Sequence, residues 1–255
     1  FRKVDKLYGD SKKYLKKYLN NMNFILIGKG NWGKKLYNNL IKIGKVKGVV
    51  TSKNHIKNFD LTNIDWAIVS SPNKSHFKYV KYFLKKKINV FCEKPLTESI
   101  FLTKKLINLA KINKTKLYIS DIELFKNKKI KITIKNNITR GKNCNYNFTK
   151  TLYAFAYHDF YLLNKYISIS KKKIEIFKKD KNCYQFNIKI KKKNFNFNYN
   201  LNKYSKHRIN KTTFDSKKNY ISTMFKKVFS KKVNFNRNHK RALDTSILIS
   251  KILKI

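Results

Sequence analysis

The sequence predicts an α/β chain: an N-terminal doubly wound parallel sheet followed by an α+β domain with a large, mainly antiparallel sheet. Three observations lead there. Between residues 23 and 120, short and wholly apolar runs alternate with helical patterns, as strands buried on both faces require. A glycine-spaced turn, Gly28-Lys29-Gly30-Asn31-Trp32-Gly33, stands between the first apolar run and the first helical pattern. After Asp121 the period changes, and Asn-Phe-Asn-Phe-Asn-Tyr-Asn over 194–200 alternates strictly, the mark of a strand with two unlike faces.

The elements follow in order. Residues 23–27 read as the first strand, and Leu36, Leu40, Ile41 and Ile43 give the next segment one apolar helical face. In this strand–turn–helix setting the three glycines do different things. Gly28 permits the tight turn, Gly30 leaves room for a pyrophosphate, and Gly33 lets the helix approach the sheet. The helix N-terminus then faces the anion. With seven glycines in the whole chain, three at this spacing argue against an incidental turn. The sheet is thus of the Rossmann type. Residues 46–51 read as the second strand. It runs into Thr51-Ser52-Lys53, where an NAD site ordinarily offers a carboxylate to the ribose. Hydroxyls and a cation suit a 2′-phosphate, so NADP is preferred over NAD. Residues 65–71 form the third strand, entering Ser70-Ser71-Pro72-Asn73-Lys74-Ser75-His76; residues 88–92 form the fourth, entering Glu93-Lys94-Pro95. Ser99 is placed to cap a helix over 99–110, and residues 116–120 close the sheet. Ligands of such sheets sit beyond the carboxyl ends of the strands, which singles out 28–33, 70–76 and 93–95.

Beyond Asp121, residues 128–135 alternate Lys and Ile, residues 141–165 are mainly helical around His158, and 173–177, 184–192 and 195–201 read as consecutive strands. Residues 220–229 and 240–253 finish as helices. The sheet is expected to carry helices on one side and alternating Phe and Ile on an uncovered side, which predicts self-association through it. The domains read as an N-terminal extension over 1–22, a dinucleotide-binding domain over 23–122, and a substrate and oligomerisation domain over 123–255.

Composition sets the limits. The hydrophobic content of 42% argues against disorder. No apolar run approaches the roughly 20 residues of a membrane span, and residues 1–21 lack the apolar core of a signal peptide. Met22 stands just before the first strand, so the start reads as truncated. The formal charge of +48 would suit nucleic acid, but the lysines are spread along the chain without a basic arm or helix. Lys, Asn, Ile, Phe and Tyr, whose codons are AT-rich, are over-used together. Biased composition therefore explains the charge, and no specific nucleic-acid partner is expected. Cys92, Cys144 and Cys183 have neither metal-ligand nor disulfide-framework spacing; a cytoplasmic protein without a metal is expected.

Three segments, 28–33, 71–76 and 93–95, resemble in order and spacing the Gfo/Idh/MocA oxidoreductases, named for glucose–fructose oxidoreductase and inositol dehydrogenase. Ala154-Phe155-Ala156-Tyr157-His158-Asp159-Phe160-Tyr161-Leu162-Leu163 resembles the family's later histidine segment. The resemblance carries into the second half, and the length permits a whole, short member. It implies hydride exchange between a nicotinamide and a secondary alcohol or ketone of a sugar, nucleotide sugar or cyclitol, with a homo-oligomer formed through the second sheet. It implies that Lys94 and His158 manage the proton, that the Lys94–Pro95 bond is cis, and that Gly28–Gly33, Thr51–Lys53, Ser70–Asn73, His76, Glu93 and Lys94 line the cofactor. Tyr153 and Tyr157 flank His158, with core packing their expected role. His55, His207 and His239 read as surface residues. One position departs: the family often has Asp four residues before the histidine, and this chain has Ala154. Asp159 or a tyrosine replaces it, or Lys94 and His158 suffice, or the chain is a catalytically degenerate dinucleotide-binding relative with a scaffold role.

Overall fold

The structure, a computed structural model, describes residues 21–126, 128–164, 166, 173–179, 182–190, 192–214 and 219–255. Apart from its last two residues, the expected N-terminal extension lies outside this set. The chain divides into two compact units: one contains the described residues up to Ser120 together with Asn219–His239, and the other those of Asp121–Lys218 and Lys240–Ile255.

The first unit holds a five-stranded parallel sheet in the order β2-β1-β3-β4-β5, built from β1 (Asn23–Ile27), β2 (Lys45–Val50), β3 (Trp66–Val69), β4 (Asn89–Cys92) and β5 (Leu117–Ile119). The helices α1 (Asn31–Leu40), α2 (Asn73–Lys85) and α3 (Ile100–Ile112) connect them. β3 and β4 are buried along their whole length or nearly so, which is why they read as unbroken apolar runs. Ser99 caps α3 by accepting from Leu102 N, as expected. The strand order reverses between β1 and β3, and that switch point is where such sheets open a crevice.

The sequence pattern groups 220–229 with the second half, but α7 (Tyr220–Phe229) belongs with this sheet. Phe229 lies against Phe24 and Trp66, and Phe225 meets Phe91 edge-on at 5.2 Å. The start of α8 (Phe235–Ile252) closes the sheet edge. Asn238 donates to the carbonyl of Ile119 and accepts from its N–H, and His239 meets the carbonyl of Leu117. These contacts satisfy backbone groups that an edge strand otherwise presents to other chains. His239 is therefore buried, not on the surface as expected.

The second unit holds a six-stranded sheet in the order β11-β10-β6-β9-β8-β7. Its strands are β6 (Lys135–Gly141), β7 (Lys173–Lys179), β8 (Cys183–Ile190), β9 (Lys193–Asn200), β10 (Ser205–Ile209) and β11 (Thr212–Thr213). β6 and β9 run parallel and the other pairs antiparallel. The Lys/Ile alternation over 128–135 does not form a strand. The carbonyls of Lys129 and Lys131 accept from the side chains of Thr212 and Asn210 instead of a neighbouring backbone, and pairing begins only at Lys135. β10 and β11 carry no clear periodicity, so the sequence does not announce them.

The expected apolar outer face is also corrected. Phe195, Phe197 and Tyr199 are buried on the side where Phe160 meets Phe197 and Phe155 meets Tyr199. The alternation therefore sends the asparagines to the other face. There Asn187 donates to Asn196, and Asn196 to Asn137, an amide ladder across three strands with Thr139, Asn198 and Gln185 beside it. Among the described residues, the apolar surface from which self-association was expected is not on this face.

Phe229→Ala should lower the stability of the first unit by about 3–5 kcal/mol, since it removes a buried ring from a packed aromatic cluster. Denaturant titration followed by tryptophan fluorescence checks this, because Trp32 and Trp66 both lie in that unit; the midpoint should fall with an unchanged slope.

Candidate functional site

In the first unit the carboxyl ends of the strands make a continuous row. Gly28 N donates to Val50 O, Ser70 N to Ile27 O, Glu93 N to Val69 O, and Ser120 N to Cys92 O, each at 2.8 Å. The segments singled out in the sequence thus stand side by side. Gly28 has φ +89°, and a Cβ there would lie 2.7 Å from the Ser71 backbone. A Cβ on Gly33 would lie 2.2 Å from Gly28 O. Packing within the protein therefore demands glycine at both positions. At Gly30 nothing lies within 4 Å of such a Cβ, so the protein itself does not require glycine there, whereas a ligand against the backbone would. α1 starts at Asn31 with no side-chain cap and no acidic residue in its first turn, which leaves its first N–H groups to an anion.

The polar groups around the turn divide into braces and open groups. Ser70 Oγ donates to Gly28 O at 2.7 Å, tying β3 to the glycine turn. Ser75 Oγ lies 2.7 Å from both Ser71 Oγ and Pro72 O, and Asn73 donates to Glu98. Thr51 Oγ1 accepts from Lys53 N, while Ser52 and Lys53 are exposed at the end of β2. His76, expected to line a cofactor, is 1% exposed. Its ring nitrogens lie 2.8 Å from Ser71 O and 2.8 Å from Pro95 O. It braces the segment after β3 against the turn after β4, where the Lys94–Pro95 peptide is cis. Burial holds the His76 imidazole below its usual pKa, and the two carbonyls oppose that in part.

Glu93 and Trp32 face each other across this region. Burial pushes the Glu93 carboxyl up, while Trp32, Ser120 and the Lys94 charge pull it back. Even so, Glu93 Oε1 and Trp32 Nε1 are buried and complete no hydrogen bond. Such orphaned groups are uncommon in a finished interior. Together with Gly30 and the uncapped helix end, they fit a polar, phosphate-bearing ligand lying along the row. Ser120 was not foreseen; it had no motif around it.

In the second unit α5 (Phe148–Thr151) continues through a π-helical turn over Leu152–Ala156 into α6 (Tyr157–Leu163). Ala154 and His158 are both partly exposed. Tyr153 and Tyr157 are buried, in keeping with packing roles. Asp159 is fully buried. Its Oδ1 is 2.5 Å from His207 Nε2, and its Oδ2 accepts from Tyr199 OH at 2.7 Å. His207, read as a surface residue, is 2% exposed and stacked on Phe214. Its place in a lysine-rich run gave no sign of this. Its Nδ1 faces Glu123 at 3.8 Å, and Glu123 pairs with Lys126. His55 alone of the three discounted histidines is exposed, where it caps a short turn by accepting from Lys57 N.

Residues 43–120 match a family model described as the NAD-binding Rossmann fold of the Gfo/Idh/MocA oxidoreductase family. This segment is of the Gfo/Idh/MocA type. The glycine turn precedes the matched stretch, so its case rests on the geometry above. No curated protein matches the chain. Solved structures similar to the chain include UDP-N-acetylglucosamine 3-dehydrogenase GnnA from Acidithiobacillus ferrooxidans, at 11% identity and TM-score 0.74, over 91% of this chain and 96% of that one. The dehydrogenase MviM from Clostridium difficile is similar at 16% identity and TM-score 0.71, over 92% and 99%. The WlbA dehydrogenase from Thermus thermophilus, solved with NAD and UDP-GlcNAcA, is similar at 10% identity and TM-score 0.70, over 92% and 95%. At these identities the likeness is one of fold, here the Rossmann sheet followed by a mixed sheet. Among the described residues no helix is long and apolar enough to cross a membrane.

Because the folded-state pKa values of His76 and His239 are lowered, the unfolded chain binds more protons as pH falls through about 6.5. Stability should therefore drop between about pH 7.5 and about pH 5.5, with a smaller drop in His76→Gln. Denaturant midpoints at the two pH values check this. Glu93 contributes with the opposite sign, but equally in both proteins.

Proposed function

We propose that this chain is an NAD(P)-dependent oxidoreductase acting on a secondary alcohol or ketone of a sugar, nucleotide sugar or cyclitol, with NADP preferred. The observation that carries the reading is the open space at Gly30 beside an uncapped helix start, in line with Glu93 and Lys94. The family of residues 43–120 supports oxidoreduction. The name of GnnA and the ligands of WlbA favour nucleotide sugars within the substrate class.

A nicotinamide cofactor supplies the hydride carrier. The protein groups divide the remaining work. Backbone N–H groups of Asn31, Trp32 and Gly33 hold the pyrophosphate, with Lys29 beside them. Thr51, Ser52 and Lys53 meet the adenosine ribose, where the missing carboxylate and the exposed lysine favour a 2′-phosphate. Ser70, through the glycine turn it ties, and Ser71, Pro72 and Asn73 border the nicotinamide ribose, and Glu93 offers its unpartnered oxygen there. His76 serves this site through the two backbone carbonyls that it joins. In the oxidation direction His158 is assigned the hydroxyl proton and the Lys94 ammonium the stabilisation of developing negative charge, roles that follow from the resemblance to the family.

Titration with NADPH and NADH, read by tryptophan quenching, tests the cofactor. Wild type should bind NADPH more tightly than NADH. Gly30→Ala should weaken both by roughly tenfold or more while its melting temperature stays put, because its Cβ meets nothing in the free protein. Lys94→Ala and His158→Ala should each lower turnover by about 10²–10⁴-fold, and the double variant should lose less than the product of the two. Absence of quenching by either nucleotide would defeat the reading. Binding without turnover on any sugar substrate would favour the degenerate relative that Ala154 raises.

A further inference from the structure

His158 and Asp159 are consecutive residues of α6 in contrasting surroundings. His158 is partly exposed, whereas Asp159 has no exposure and both its oxygens are engaged. We propose that Asp159, Tyr199 and His207 form a positioning set that fixes the rotation of the helical turn presenting His158. The proposal rests on the role given to His158 above, and it makes Asp159 a positioning residue instead of the catalytic one the sequence suggested.

Two strands hold Asp159. Tyr199 reaches it from β9 and His207 from β10. A single hydrogen bond would let the turn roll about one contact; two from different strands fix its azimuth. The anchor is needed because of what precedes it. Over Leu152–Ala156 the helix widens into π geometry, whose i→i+5 bonding is a local departure from the α ladder and recurs at functional sites. The α ladder is interrupted there, so the side His158 shows is not inherited from α5.

Charged residues surround the set. Glu123 on α4 (Ile122–Phe125) faces His207 from the other side and carries Lys126. Arg140 on β6 lies with its guanidinium 5.2 Å from the Phe155 ring, in the π turn, and its charge reaches Tyr199. Burial and the Asp159 charge push the Tyr199 phenol well above its usual range, so it remains a donor. Packing alone would be served as well by apolar residues of the same volume. A buried, bidentate carboxylate beside the one residue that must be aimed is better explained by orientation.

The test uses the full chain with isotope-labelled histidine and reads the His158 imidazole titration by NMR in Tyr199→Phe and His207→Gln. Tyr199→Phe keeps the ring in the core and removes one tether. The expected result is a moved His158 titration in both variants, with NADPH quenching of tryptophan unchanged. With a substrate in hand, kcat should fall roughly ten- to a hundred-fold at constant KM. A His158 titration that coincides with wild type in a folded Tyr199→Phe, whatever the melting temperature does, overturns the proposal. Should His207→Gln fail to fold, Tyr199→Phe alone decides. If wild type binds NADPH but turns over no sugar, the functional reading fails separately, and the titration still judges the positioning set.

Discussion

Four hydrogen bonds of equal length join the residue just past one strand to the last residue of its neighbour: Gly28 to Val50, Ser70 to Ile27, Glu93 to Val69 and Ser120 to Cys92. They constrain the candidate site more than any side chain does. Backbone partners fix where the glycine turn, the segment after β3 and the turn after β4 stand relative to one another. Side chains then tighten the row: Ser70 bonds the glycine turn from one side, and His76 draws Ser71 and Pro95 together from the other. A ligand laid along it meets prearranged donors, and prearrangement is where binding sites gain most of their advantage.

The chemistry of the chain is set against a cationic background. With 61 Lys and Arg and 13 Asp and Glu, few lysines can find a carboxylate. Several lie over rings instead: Lys29 is 3.8 Å from the Tyr37 centroid and Lys150 is 4.4 Å from that of Tyr146, geometry that lowers the cost of a dense positive surface. Among the described residues Asp60, Asp65 and Glu98 are exposed, but other acids lie inside. Asp121, Glu123 and Asp159 are buried, and one oxygen of Glu93 is buried as well. A buried carboxylate in this protein is thus a better pointer to a built polar arrangement than any lysine.

Most of the first unit was legible because its signals are local. Apolar runs bounded by turns gave β1–β5, and Gly28, Gly30 and Gly33 announced the turn. What the sequence hid was tertiary. Nothing local tells that Phe225 and Phe229, distant in sequence, complete the first sheet, or that Asn238 and His239 close its edge. The Asn/Phe alternation of β9 showed two unlike faces but not which one the helices would cover. His207 and Tyr199 escaped notice because a partner for Asp159 is defined by strand register, and register was not readable. The Lys/Ile pattern over 128–135 misled because side chains of Asn210 and Thr212 took the carbonyls that a strand would have used.

The closed edge of the first sheet carries a liability. Its lock consists of one amide and one imidazole at the start of α8, in place of another strand. Cutting the chain before residue 235 would bare the outer rim of Leu117–Ile119 as a ready template, on which a second molecule could add its own strand. Crowded positive charge keeps copies apart at low ionic strength and is screened as salt rises. Insolubility of such a shortened protein would then grow with salt, the reverse of what charge pairing between molecules would give.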